Sequence, residues 1–141
     1  IVQNAGGYAP LTGEQSATLV EDVPGIEYVK EERQPGPRHI GEVRRCVGDG
    51  VKTIFGGAAG KFLPAEMRQG ADGCMPACEF GDLLAIVMDR WVSGDEDGAR
   101  DLLGPCGNTD ISASESDISG EMRPAYLVRV ASEPLSSAST M

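Results

Sequence analysis

The sequence predicts an α/β fold: a partial (β/α)8 TIM barrel of about four βα units, followed by a poorly structured C-terminal tail. Three observations lead there. Short apolar runs alternate with helix-like segments along most of the chain. The strand candidates begin at residues 1, 26, 51 and 73, a spacing of 25, 25 and 22 residues, which is the length of a compact βα unit. No G-x-G-x-x-G and no P-loop follows any strand, where an open doubly wound sheet would usually announce itself. A whole barrel needs about 250 residues, and this chain has 141.

The elements follow in order. Ile1 to Ala5 is a short apolar strand closed by Gly6-Gly7, and a helix is expected from Gly13 to Asp22. Thr12 stands as its N-cap with Gln15 three residues on, the spacing of a capping box. After Pro24-Gly25 comes the second strand, Ile26 to Lys30. Its helix is expected over Arg38 to Cys46, beyond the loop Gln34-Pro35-Gly36-Pro37. Gly48-Asp49-Gly50 turns into the third strand, Val51 to Phe55, closed by Gly56-Gly57. Its helix covers Gly60 to Arg68, with Pro64 near the first turn, where its missing N–H does no harm. The fourth strand is Gly73 to Ala77. A longer helix, Phe80 to Val92, then carries Leu83, Leu84, Val87, Met88 and Trp91 on one face.

The chain has 12 Lys+Arg against 22 Asp+Glu, a formal net charge of -10. That balance argues against sequence-independent nucleic-acid binding, which needs a basic footprint. It is also the wrong sign for an anionic membrane surface. The longest apolar stretch, Leu83 to Met88, falls far short of the roughly 20 residues a membrane span needs. Ile1-Val2-Gln3-Asn4 opens the chain strand-like, without the basic start of a signal peptide, so further sequence is expected upstream. Cys46, Cys74, Cys78 and Cys106 are irregularly spaced and do not read as a disulfide framework; a reduced, cytoplasmic setting fits them better.

Alternate strand residues share a face, so Ile26, Tyr28 and Lys30 point one way and Glu27, Val29 and Glu31 the other. Lys30 then ends its strand at the edge from which barrel enzymes draw their catalytic side chains. Partial desolvation there disfavours an ammonium, and a neutral amine attacks ketones. Position alone also fits a solvated lysine opening the charged loop Lys30-Glu31-Glu32-Arg33.

Several segments, in order, resemble the dihydrodipicolinate synthase / N-acetylneuraminate lyase family of Schiff-base aldolases and dehydratases. Tyr28-Val29-Lys30-Glu31-Glu32 is similar to the strand bearing the family's Schiff-base lysine, and Ile54-Phe55-Gly56-Gly57 to the glycine-closed strand after it. The run Arg68 to Ala77 resembles the glycine-rich approach to the last strand, and Ser93-Gly94-Asp95 through Ala99-Arg100 the turn that follows. The resemblance covers residues 1–105 and marks them as the C-terminal half of such a barrel. It implies a lyase acting on a 2-oxo acid, pyruvate or a 2-keto-3-deoxy sugar acid, with Lys30 as the catalytic amine. Gly56, Gly57 and Met75 would line the substrate. The resemblance implies no metal and no cofactor; the partners expected are a small 2-oxo acid and further copies of the chain, because half a barrel leaves two open sheet edges.

Departures narrow the implication. Gln3-Asn4-Ala5-Gly6-Gly7 lacks the arginine that can bind a second carboxylate in dihydrodipicolinate synthases. The family's threonine-bearing carboxylate loop and its proton-relaying tyrosine would precede residue 1, and neither Tyr8 nor Tyr28 stands at a matching position. Residues 106–141 form a Ser-rich stretch without Lys where the family continues into packed helices, as a replaced C-terminus would. The alternative to an enzyme is therefore a catalytically inactive half-barrel that persists only as an oligomer or with a partner chain. Among other residues, Cys74 and Cys78 read as buried structural cysteines, because zinc sites recruit four ligands at tighter spacing. His39 reads as a surface helix residue with no carboxylate partner. Asp95-Glu96-Asp97 reads as a helix start. Gly56-Gly57-Ala58-Ala59-Gly60 could bind an anion through backbone N–H groups but more simply shapes the barrel mouth.

Overall fold

The computed structural model describes residues 1–7, 9–76 and 78–104; the expected tail at 106–141 lies outside them, as do Tyr8 and Ala77. Four strands alternate with helices: β1 (Val2–Asn4), α1 (Gly13–Asp22), β2 (Tyr28–Glu31), α2 (Gly36–Val47), β3 (Thr53–Gly56), α3 (Leu63–Arg68), β4 (Gly73–Cys74), α4 (Gly81–Val92) and α5 (Glu96–Leu102). All three strand pairings are parallel, in the order β1-β2-β3-β4. A doubly wound sheet reverses its strand order at a switch point. Here each new strand joins the same growing edge, the order of a barrel wall. The fold is a partial (β/α)8 barrel.

The caps read from sequence are present. Thr12 Oγ1 accepts from the Gln15 N–H at 3.2 Å, and Gln15 Oε1 accepts from the Thr12 N–H at 2.9 Å. The acidic run does begin a helix, α5, whose N-cap Asp95 accepts from the Gly98 N–H at 3.0 Å.

Several boundaries differ: β1 is trimmed to Val2–Asn4, β2 begins at Tyr28 instead of Ile26, β3 runs Thr53–Gly56 instead of Val51–Phe55, and α4 begins at Gly81. Four further differences have a local reason. Lys30 is the penultimate residue of β2, because Glu31 pairs with Asn4 and the Glu32 N–H still reaches Asn4 O at 2.9 Å. α2 begins at Gly36, since Pro37 is accommodated in the first turn. α3 begins at Leu63 because Ala58, Ala59 and Gly60 take positive φ values of 49°, 55° and 74°, a left-handed turn that cannot open a right-handed helix. β4 stops at Cys74: the Met75 N–H bonds Gly56 O, the last residue of β3, and Pro76 has no N–H to continue with.

The helices cover one face of the sheet. Val29 and Ile54 from the strands meet Ile40 and Val43 of α2, with Val51 and Ala71 closing the cluster. A second cluster joins Leu63 of α3 to Leu84 and Val87 of α4 and to Ala99 and Leu103 at α5, with Trp91, Leu83 and Met88 packed against it. The α4 face predicted from helical spacing is therefore the buried one. Arg44 ties α2 to the loop before β4, donating to Gly70 O at 3.0 Å and to Asp72 Oδ2 at 2.5 Å; that carboxylate also accepts the Ile54 N–H at 2.8 Å. Among the described residues no helix is long and apolar enough to cross a membrane.

Ile54 is fully buried in the sheet–helix layer. Truncating it to alanine removes both transfer energy and packing, so Ile54→Ala is expected to cost about 2–5 kcal/mol. Urea unfolding should show a lower midpoint at an unchanged slope; an unchanged midpoint would contradict the packing described.

Candidate active site at the C-terminal edge of the sheet

Strand parity decides what β2 offers to each side. Val29 and Glu31 are buried, 2% and 0% exposed, against the helix layer. Tyr28 and Lys30 take the opposite face, beside Thr53 and Phe55 of β3, and Lys30 is also in register with Gln3 of β1. The Tyr28 and Phe55 rings stack there, with centroids 6.3 Å apart and planes 20° from parallel. This is the face that lines the interior of a barrel.

Lys30 differs from the other two lysines of the chain. Lys52 is largely exposed and paired at 2.5 Å with Glu27, whose hydrogen bond and charge hold its amine above the ordinary lysine range. Lys61 lies over the Phe62 ring at 5.2 Å. The Lys30 side chain is only 15% exposed, and its Nζ stands 3.1 Å from Glu32 Oε1. The Gln3 amide donates to the other oxygen of the same carboxylate. Sequence reasoning did not single out Glu32, although its signal was present: it lies two residues beyond Lys30, on the same face of an extended chain.

The three expected lining residues fall around this group. Gly57 lies against Glu32, and a Cβ there would collide with the glutamate side chain, so glycine is what leaves room for it at the end of β3. Gly56 and Met75 are joined main chain to main chain, Met75 N–H to Gly56 O at 3.1 Å, and the Met75 side chain is exposed. The missing side chain of Gly56 makes room on the opposite, helix-covered face, for Glu66. The two alanines that follow, at positive φ, are the described non-glycine residues in that conformation, a strained turn at the rim of the site.

Behind the sheet lies a second acidic group that the sequence did not reveal. Glu31 is fully buried but satisfied: it accepts from Asn4 Nδ2 at 2.7 Å and from the Arg33 N–H at 2.8 Å, and Arg33 Nε lies 3.3 Å away. Glu66 of α3 is 1% exposed, and neither of its oxygens has a hydrogen-bond partner among the described residues. Burial, and secondarily the charge on Glu31, pushes its carboxyl up to about 8. An unpartnered buried carboxylate is costly, and protonation removes the charge. Near Glu66, burial and that carboxyl push the Cys74 thiol up to about 11, far from a reactive thiolate.

His39 and Cys78 require correction. His39 Nδ1 lies 3.3 Å from Glu42 Oε2, one turn along α2, and its side chain is 17% exposed, so it is a half-buried residue with a carboxylate partner. The Gly13 N–H, then His39 and Arg33, hold the Glu42 carboxyl below its usual range despite partial burial. Cys74 is half-buried where burial was expected, and Cys78 is exposed, because the 3-10 turn Cys78–Phe80 precedes α4 instead of extending β4. Among the described residues no three His, Cys, Asp or Glu side chains converge as a metal site.

Glu66 sets a testable pH dependence. Its carboxyl is raised in the folded chain, so the folded state holds a proton that the unfolded state releases. The associated stability is fully present below about pH 4.5 and is lost as pH rises to about 8. Relative to Glu66→Gln, the parent should lose about 1.4 kcal/mol per pH unit across that window. Denaturant melts of both proteins from pH 5 to 9 measure this; parallel stability curves would contradict it.

No protein-family profile and no curated protein sequence matches the chain. A solved structure does: dihydrodipicolinate synthase from Rhodopseudomonas palustris, 29% identical, with a TM-score of 0.63 over 70% of this chain and 35% of that one. The chain thus spans about a third of that enzyme's length. It is similar in fold to part of a dihydrodipicolinate synthase barrel, and its fold neighbour is an enzyme.

Proposed function

We propose that this chain carries the covalent centre of a Schiff-base lyase, an aldolase or dehydratase acting on a 2-oxo acid such as pyruvate or a 2-keto-3-deoxy sugar acid. One observation carries the reading. Lys30 is a half-buried lysine on the uncovered face of a parallel sheet, at the C-terminal strand edge, in a chain whose fold neighbour is a dihydrodipicolinate synthase. In this reading the Lys30 amine adds to the C2 carbonyl of the oxo acid and water leaves, forming an iminium. The iminium is an electron sink, so the bond one carbon further on breaks or forms through an enamine. Main-chain groups at Gly56, Gly57 and Met75 lie at the same strand ends and would approach the substrate. The likeness of Tyr28-Val29-Lys30-Glu31-Glu32 to the family's lysine strand supports the same assignment.

Borohydride reduction in the presence of pyruvate, followed by peptide mass mapping, tests it. A stable adduct on the peptide containing Lys30 is expected, and Lys30→Arg should abolish it. An adduct on Lys52 or Lys61 alone, or none, would overturn the reading.

The sheet also favours a second reading, an inactive half-barrel stabilised by assembly. Among the described residues β1 and β4 each pair on one side only, which leaves two open parallel edges. Sedimentation analysis of the 141-residue chain is expected to show an oligomer with little turnover. A well-folded monomer would remove this alternative.

A further inference from the structure

We propose that Glu32 is a catalytic residue of the same site, the group that takes the proton from the Lys30 ammonium and returns it to the departing oxygen. The assignment rests on Lys30 being the Schiff-base amine. Its own support is geometric. Glu32 Oε1 lies 3.1 Å from Lys30 Nζ, within reach of a direct proton transfer. The carboxylate is held on three sides: the Gln3 amide donates to Oε2, the Glu32 N–H is fixed on Asn4 O at 2.9 Å, and Gly57 leaves room beneath it. At 26% exposure its side chain is open to an incoming ligand yet sheltered enough to keep its place. Glu31, next in sequence, faces the helix layer and is occupied by Asn4 and Arg33, so it does not compete for the amine.

The proton balance closes on these two side chains. The Lys30 ammonium passes a proton to the Glu32 carboxylate, giving a neutral amine and a carboxylic acid. The amine lone pair forms the bond to C2 of the oxo acid while the carbonyl π electrons move to oxygen, and a proton shifts from nitrogen to that oxygen. Glu32 then protonates the hydroxyl, the carbon–oxygen bond breaks, water leaves, and the nitrogen lone pair completes the iminium. Glu32 is again a carboxylate, now beside a cation of the same charge as the ammonium it first held. No further acid or base is consumed.

The test measures the rate of imine formation with pyruvate, by timed borohydride quenching, for the parent, Glu32→Gln and Glu32→Asp. Circular dichroism confirms that all three are folded. General acid–base groups contribute roughly 10²- to 10⁴-fold, so Glu32→Gln should slow adduct formation at least about a hundredfold while the final yield on Lys30 is kept. Glu32→Asp, which keeps a carboxylate beside the amine, should recover most of the parent rate. If the parent labels Lys30 and Glu32→Gln labels it as fast, or if Glu32→Asp is as slow as Glu32→Gln, Glu32 has no such role. If the parent does not label Lys30, the lyase reading itself fails first.

Discussion

The candidate site hangs on the register between β1 and β2. Asn4 pairs with Glu31, and the Glu32 N–H bonds Asn4 O, so the extended chain persists through residue 32. Because side chains alternate along an extended chain, this fixes two opposite sets. Val29 and Glu31 go to the helix layer; Lys30 and Glu32 go to the uncovered face. A slip of one residue would bury an amine against Ile40 and Val43 and expose Val29, exchanging an apolar contact for an unpaired charge. The hydrophobic layer therefore holds the amine in place without touching it.

Glycines at the end of β3 convert that register into two separate acidic environments. Gly57 admits Glu32 on the interior side, where the carboxylate is partnered by an amine and an amide. Gly56 admits Glu66 on the helix side, where the carboxyl has no partner and burial favours its neutral form. Side chains of one type, admitted by adjacent glycines, thus meet opposite surroundings. The strained turn Ala58–Gly60 directly after these glycines redirects the chain into α3, the helix that carries Glu66.

Most of the architecture was legible in the sequence, because strand spacing, glycine-closed strand ends and the Thr12–Gln15 cap are local signals. The α4 face was legible too, from helical spacing. The ends of elements were less so. β2 runs one residue further because of a bond to a residue 28 positions earlier, Asn4, and α3 starts late because two alanines adopt positive φ, which composition does not announce. Lys30 could be placed by parity, but its carboxylate neighbour became evident only when Gln3, Glu32 and Gly57 were brought together. Glu66 gave no local sign at all: its burial depends on space left by Gly36 and Gly56, from two other segments of the chain.

The most direct measurement is a crystal structure of the protein after reduction with pyruvate bound. The account predicts continuous density from Lys30 Nζ to C2 of the reduced pyruvate, on the sheet face away from α1 and α2, with the Glu32 carboxylate in contact with that nitrogen. Density joined to another lysine, or a β2 register that turns Lys30 toward Ile40 and Val43, would contradict it.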